Sequence, residues 1–245
     1  MSHITETMEH IRARLDVLTY FKSIIHDHKR FAYEVDHIQK CVESNLWLFG
    51  EQYHLLSTEE DKFERSLRNL LKFKGDEHFD KATVQHPDKN KEMDIFAAQK
   101  GKKVSDTGKE YFHNVVIELK RPSIKLSDKE FAQIRTYRNV IATNEEFNDG
   151  VSLWDFILVG NDISDSDYIA EDLKSAFQNS AVHCEPNLVQ KTNNIRIYVK
   201  TWTQILNEFE LRYHELSSRL QLKEAEIISS SPDALTEDVL AQVDS

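Results

Sequence analysis

Residues 115–123 read VVIELKRPS. An alternating strand sends residues two apart to the same side, so Ile117 and Leu119 face one way and Glu118 and Lys120 the other. A carboxylate and an ammonium inside an otherwise apolar strand are costly unless they are paired or used. Upstream, Asp94 sits in EMDIF between Met93 and Ile95. If the two segments pair as a hairpin, one aspartate, one glutamate and one lysine meet on one face. Two carboxylates are the hard oxygen ligands that Mg²⁺ takes while keeping several waters. A lysine beside them would orient or help deprotonate a water and stabilise charge developing on a phosphoryl group. The chemistry this trio implies is metal-dependent phosphodiester hydrolysis. The plainer reading, a structural Glu118–Lys120 ion pair, uses the same residues.

These side chains need elements to position them. EMDIFAAQ, from Glu92, and YFHNVVIELK alternate as strands, joined by GKKVSDTGKE with Gly101 and Gly108. Ser127 and Glu130 make a capping box that opens a helix running to about Glu146, with Phe131, Ile134, Val140 and Ile141 inward. Gln133 and Tyr137, four apart, share one face of it. LWDFILVGN is a strand apolar enough to be buried on both faces. A helix over residues 166–178 and the strand NIRIYVKTW follow. His113, at the start of the motif strand, reads as solvent-facing.

Ahead of the hairpin, apolar spacing predicts amphipathic helices over residues 4–29 and 31–45, leading into the cluster LWLFG. Trp47 and Phe49 in that cluster read as core. Ser57 with Glu60 reads as a second capping box, opening a helix to Lys74 that buries Phe63, Leu67, Leu70 and Leu71. Residues 75–91 read as loop. A long amphipathic helix covers residues 203–228, and the tail beyond it is a frayed end or a short appended helix. The expected organisation is an amphipathic helix over residues 1–30, one α/β domain over 31–202, and a C-terminal helix and tail over 203–245.

The chain has 245 residues, 40% hydrophobic and 30% charged, enough to build a sizeable core. No apolar run approaches a membrane span, and the first residues are too polar for a secretory signal. Cys41 and Cys184 lack disulfide or metal spacing, which fits a reducing cytoplasm. The net charge of −11 hides an uneven distribution. Residues 98–140 carry ten Lys/Arg against five Asp/Glu, a local +5, whereas residues 141–190 carry one against ten, a local −9. Local charge steers a polyanion, so the basic island around IELK suits nucleic acid. Arg121, Lys125, Arg135 and Arg138 are its candidate phosphate contacts. There is no GxxxxGK[ST] loop, so no nucleotide triphosphatase site is expected.

Asp94, ELK at 118–120 and QIRTY at 133–137 together resemble the PD-(D/E)XK nuclease superfamily with its Gln-x-x-x-Tyr motif. YEVDHIQKCVESNLWLFG, MDIF, VVIELKRPS and QIRTY further resemble the Shedu-type anti-phage nuclease domain. The resemblance spans about residues 31–202. It implies a restriction-endonuclease-like αβββαβ core, a mixed central sheet flanked by helices, with the N- and C-terminal helices added. It implies Mg²⁺ or Mn²⁺ held by Asp94 and Glu118, Lys120 positioning a water, Gln133 and Tyr137 supporting the site, and a helical glutamate completing it. Glu34 fits that last role best, with Glu43 and Glu51 as alternatives. The literal Pro-Asp of the superfamily falls at Pro87 and Asp88, so Asp88 competes with Asp94. The implied activity is cleavage of nucleic acid, DNA ahead of RNA, in antiviral defence, with a defence-system partner protein; the amphipathic terminal helices point to a homo-oligomer, and the cysteines to the cytoplasm. The alternative is a silent nuclease-like binding or assembly module acting with a partner ATPase or sensor.

Overall fold

The computed structural model describes residues 3–26, 35–50, 53–58, 61–99, 103–104, 108, 110–165, 168–180 and 187–229. Its helices are α1 (His3–His26), α2 (Val35–Ser44), α3 (Phe63–Lys74), α4 (Asp128–Thr143), α5 (Tyr168–Ser180) and α6 (Trp202–Ser229). Its strands are β1 (Tyr53–Thr58), β2 (Ile95–Gln99), β3 (Lys103–Val104), β4 (Glu110–Leu119), β5 (Lys125–Leu126), β6 (Ser152–Gly160), β7 (Asp162–Ile163), β8 (Leu188–Thr192) and β9 (Ile195–Thr201). The chain divides into two compact units, residues 24–205 and the pair 1–23 with 206–245. Among the described residues, no helix is long and apolar enough to cross a membrane.

The larger unit is α/β, with a mixed central sheet flanked by helices. The strand order is β1-β2-β4-β6-β9-β8, and β3 adds to β4. β2 runs antiparallel to both β1 and β4, β4, β6 and β9 are parallel, and β8 returns antiparallel to β9. Helical crossovers make the parallel pairings possible. β6, in the middle, is buried at nearly every position, which is why its sequence is an unbroken apolar run. The Trp154 ring of β6 stacks on Phe96 of β2, across β4, and on Phe156 of its own strand, with ring centroids 5.5 and 6.2 Å apart. The Trp154 indole N–H donates to the Phe147 carbonyl at 3.2 Å. Phe131, Ile134, Val140 and Ile141 of α4 join this core with Phe63, Leu67 and Leu70 of α3.

Local signals explain some boundaries and not others. At α4 the capping box forms: the Ser127 side chain accepts from the Lys129 N–H at 3.3 Å, and Glu130 accepts from the Ser127 N–H at 3.1 Å. The second predicted box does not. Ser57 lies inside β1, a strand where residue spacing predicts the approach to a helix, and accepts from the Asn69 side-chain amide at 3.3 Å. α3 starts at Phe63 with Lys62 as its N-cap, and Glu60 lies outside the described residues. Gly75 ends α3 at a φ of 88°, where its N–H caps the Leu71 and Lys72 carbonyls. In the LWLFG cluster, Leu46 and Leu48 are buried, and Trp47 and Phe49 only partly so. The helix read over residues 31–45 is described from Val35 onward. β8 is a strand the periodicity did not mark. The tail beyond Ser229 lies outside the described residues.

In the smaller unit, α1 and α6 satisfy each other's amphipathic faces. Met8, Ile11, Leu18 and Phe21 of α1 and Leu206, Phe209 and Tyr213 of α6 are buried. Arg14 donates to the Tyr213 hydroxyl, and Lys22 pairs with Glu210 at 2.5 Å.

A polar network ties four strands of the sheet together. Asp155 on β6 receives Arg196 Nε of β9 at 2.6 Å and pairs with His113 Nε2 of β4 at 2.7 Å. The Tyr53 hydroxyl of β1 lies 3.3 Å from the His113 ring. His113 therefore packs inward, against expectation, with its side chain 12% exposed. Burial alone would raise the Asp155 carboxyl pKa, but the His113 and Arg196 contacts outweigh it and hold it below its ordinary value.

The sign of this shift fixes a pH dependence. A folded-state pKa below the unfolded value of about 3.9 gives stability that is complete above that value. It is lost as pH falls through the folded pKa. In urea unfolding, Asp155→Asn should be destabilised relative to wild type at pH 7, with the gap narrowing as pH falls below about 3.9. A gap that stays constant as pH falls through that range would contradict this.

Candidate functional site

The β2–β4 register places the motif residues. Ile95 pairs with Ile117, so one step further the antiparallel pairing sets Asp94 opposite Glu118. Asp94 is not inside the strand, as its apolar neighbours had implied. It stands in the bend just before β2, and its Oδ2 accepts the Leu119 backbone N–H at 2.6 Å. The carboxylate thus closes the end of the ladder with its side chain.

Glu118 lies one residue from the end of β4 and is 1% exposed. Lys120 follows the strand, and its backbone N–H donates to the Val159 carbonyl of β6 at 2.8 Å. That bond extends the parallel pairing past the strand end and aims the Lys120 side chain back alongside Glu118. Its Nζ lies 2.5 Å from Glu118 Oε1 and 2.8 Å from Gln133 Oε1. Gln133 Nε2 in turn donates to the Tyr137 hydroxyl at 2.7 Å. The acceptor on one side and the donor on the other fix the orientation of the Gln133 amide.

Tyr137 is the anchor of this chain of contacts. It is 2% exposed and packs on Phe63 of α3 with ring centroids 5.7 Å apart. Burial, and next the nearby Glu118 carboxylate, push its phenol well above the ordinary tyrosine pKa, with Asp94 adding in the same direction. The phenol therefore stays neutral at physiological pH.

A groove of about 640 Å³ opens beside Asp94, lined also by Gln133, Tyr137, Glu92, Thr136, Lys91 and Lys129; Glu118 and Lys120 are not in its lining. Lys91 and Lys129 are the cations on its wall. Arg121, Lys125, Arg135 and Arg138 do not line it. Arg121 is exposed, Lys125 pairs with Asp162 at 3.1 Å, Arg135 lies over the Phe131 ring, and Arg138 donates to Asn139. Asp88 stands apart in a surface turn, 3.2 Å from Lys91 Nζ and 3.7 Å from the His86 ring. Sequence reasoning counted Lys129 in the basic island without singling it out and had no signal for Lys91, because a lysine's distance from a groove depends on the packing of α4.

α2 also reaches the site. The Gln39 side-chain amide donates to the Asp94 carbonyl at 3.2 Å and to Glu43 Oε1 at 3.1 Å. Of the three helical carboxylates considered, Glu43 is thereby tied to the Asp94 bend, and Glu34 and Glu51 lie outside the described residues. Among the described residues, His, Cys, Asp and Glu form no group of three or more that could hold a metal ion. The acidic donors at this site are Asp94 and Glu118, with Glu43 tied in through Gln39.

The Gln133–Tyr137 bond has a measurable weight. Tyr137→Phe keeps the ring and removes the acceptor of a part-buried amide, a change that costs about 1–3 kcal/mol. The urea midpoint should fall accordingly with an unchanged slope. An unaltered midpoint would show that the phenol does not support Gln133. The chain matches no protein-family model, no curated protein and no solved structure.

Proposed function

We propose that this chain is a divalent-metal-dependent nuclease with a PD-(D/E)XK-type core. The observation that carries the reading is the Lys120 ammonium, which joins the Glu-x-Lys strand to the Gln-x-x-x-Tyr helix through contacts of 2.5 and 2.8 Å. Two motifs separated in sequence by a turn and a capping box meet at one atom. A structural ion pair would need Glu118 and Lys120 alone. It leaves the groove beside Asp94 without a part.

The donor set fits a divalent cation. Asp94 and Glu118, set opposite each other by the β2–β4 register, are hard oxygen ligands, and Mg²⁺ or Mn²⁺ completes its shell with water when proteins supply few carboxylates. Asp94 and Glu118 would hold the ion, which would polarise the phosphoryl group and lower the pKa of a bound water. The chain's own residues do the remaining work. Lys120, held between Glu118 and Gln133, orients a water and offers positive charge to the pentavalent phosphorus. Gln133 keeps that ammonium in place, and the neutral Tyr137 phenol keeps Gln133 in place. Lys91 and Lys129 on the groove wall would meet backbone phosphates. DNA as the substrate and a role in anti-phage defence come from the resemblance of MDIF, VVIELKRPS and QIRTY to Shedu-type domains.

Incubation with supercoiled and linear DNA, in Mg²⁺, Mn²⁺ or EDTA, tests the reading. Cleavage should need the metal and fall about a hundred- to a thousandfold in Glu118→Ala and in Asp94→Ala, the scale set by losing a principal electrostatic stabiliser. Asp88→Ala should cleave like wild type. Metal-dependent cleavage that survives Glu118→Ala would contradict the assignment. Salt-sensitive DNA binding without cleavage would instead support the silent binding module.

A further inference from the structure

Gln39 is 4% exposed on a helix whose neighbouring inward residues, Ile38 and Val42, are apolar. A buried amide at such a position is costly unless its groups are paired. Both of its N–H groups are used, one on the main-chain carbonyl of Asp94 and one on the Glu43 carboxylate. Its own oxygen is buried and accepts from no protein donor among the described residues. A leucine or methionine would fill the same space without that cost, so packing alone does not account for a glutamine here.

What the amide does is specific to the site. Asp94 lies in a bend, where no strand ladder of its own holds it. Its side chain is fixed by the Leu119 N–H and its carbonyl by Gln39. The two bonds approach the residue from β4 and from α2. The same amide holds Glu43, one helical turn along α2 and only partly buried.

We propose that Gln39 is a positioning residue for the Asp94–Glu118 site. It locks the Asp94 bend to α2, with Glu43 holding its amide, so that docking of α2 sets how well Asp94 and Glu118 bind the ion. This rests on the reading of the site as a metal-dependent nuclease. Outer partners of metal-holding carboxylates commonly change affinity by about 10–100-fold when removed.

The test is Mn²⁺ binding, followed by the electron paramagnetic resonance of the free ion, on wild type, Gln39→Met, Glu43→Ala, their double variant and Glu118→Ala, with thermal melting alongside. Methionine keeps the length and volume of glutamine, and Glu43 is partly exposed, so neither change opens the core. Each single variant should weaken Mn²⁺ binding about tenfold or more, and the double variant should be little worse than either alone. Cleavage by Gln39→Met should recover toward wild type at high Mn²⁺, which a damaged fold would not do. If Glu118→Ala abolishes binding while Gln39→Met or Glu43→Ala binds like wild type, the positioning role is wrong and the nuclease reading stands. A melting point lowered with affinity unchanged likewise overturns the positioning role. If wild type binds no Mn²⁺, both fail together.

Discussion

The Glu118 carboxylate is almost completely buried, and an ionised carboxylate there costs several kcal/mol unless a cation stands against it. Lys120 is that cation, itself 14% exposed and 2.5 Å away. Neither charge would be stable in this position without the other. Holding a lysine over a buried glutamate also demands geometry, because two residues two apart on a strand share a face only while the strand stays extended. β6 supplies this by taking the Lys120 N–H beyond the end of β4. α4 supplies the rest by presenting Gln133, whose amide accepts from Lys120 and donates to Tyr137. The apolar core matters to the site chiefly by fixing α4 over the sheet through Phe63, Phe131 and Ile134.

The sheet separates two polar assemblies by strand parity and strand end. Glu118 and His113 are five apart on β4, so their side chains leave opposite faces. Near the C-terminal end lie Asp94, Glu118 and Lys120, with an opening beside Asp94. Near the N-terminal end lie Tyr53, His113, Asp155 and Arg196, which bond to one another across β1, β4, β6 and β9. The second assembly has its charges matched internally and reads as a brace. The first has Glu118 bonded to Lys120 and Asp94 on the wall of a groove.

The sequence carried the parts of this that are local. The Ser127–Glu130 cap, the continuous apolar run of β6 and the four-residue spacing of Gln133 and Tyr137 each follow from one element's own geometry. The pairing of Asp94 with Glu118 was also accessible, because a short hairpin leaves few registers that keep both apolar sets inward. What was not legible depends on distant partners. Ser57 and Glu60 match a capping box by letter, yet pairing with β2 draws Ser57 into a strand, and tertiary pairing outweighs a cap worth about 1 kcal/mol. His113 could not be placed inward without knowing that Asp155 and Arg196 lie on the next two strands. Gln39 carries no motif at all, and its role rests on where α2 docks. The basic residues were legible in number and not in position: the island at residues 98–140 holds Lys129, but Lys91, also on the groove wall, lies outside it.

The central claim is that Asp94 and Glu118, brought opposite each other by the β2–β4 register, hold a divalent cation. Anomalous diffraction from crystals soaked in Mn²⁺ tests it most directly. The account predicts a single strong peak within direct coordination distance, about 2.0–2.6 Å, of carboxylate oxygens from both residues. It predicts that Lys120 stays bonded to Gln133 in that structure. A map with no density between the two carboxylates, or with the ion seated at Asp88, would contradict the account.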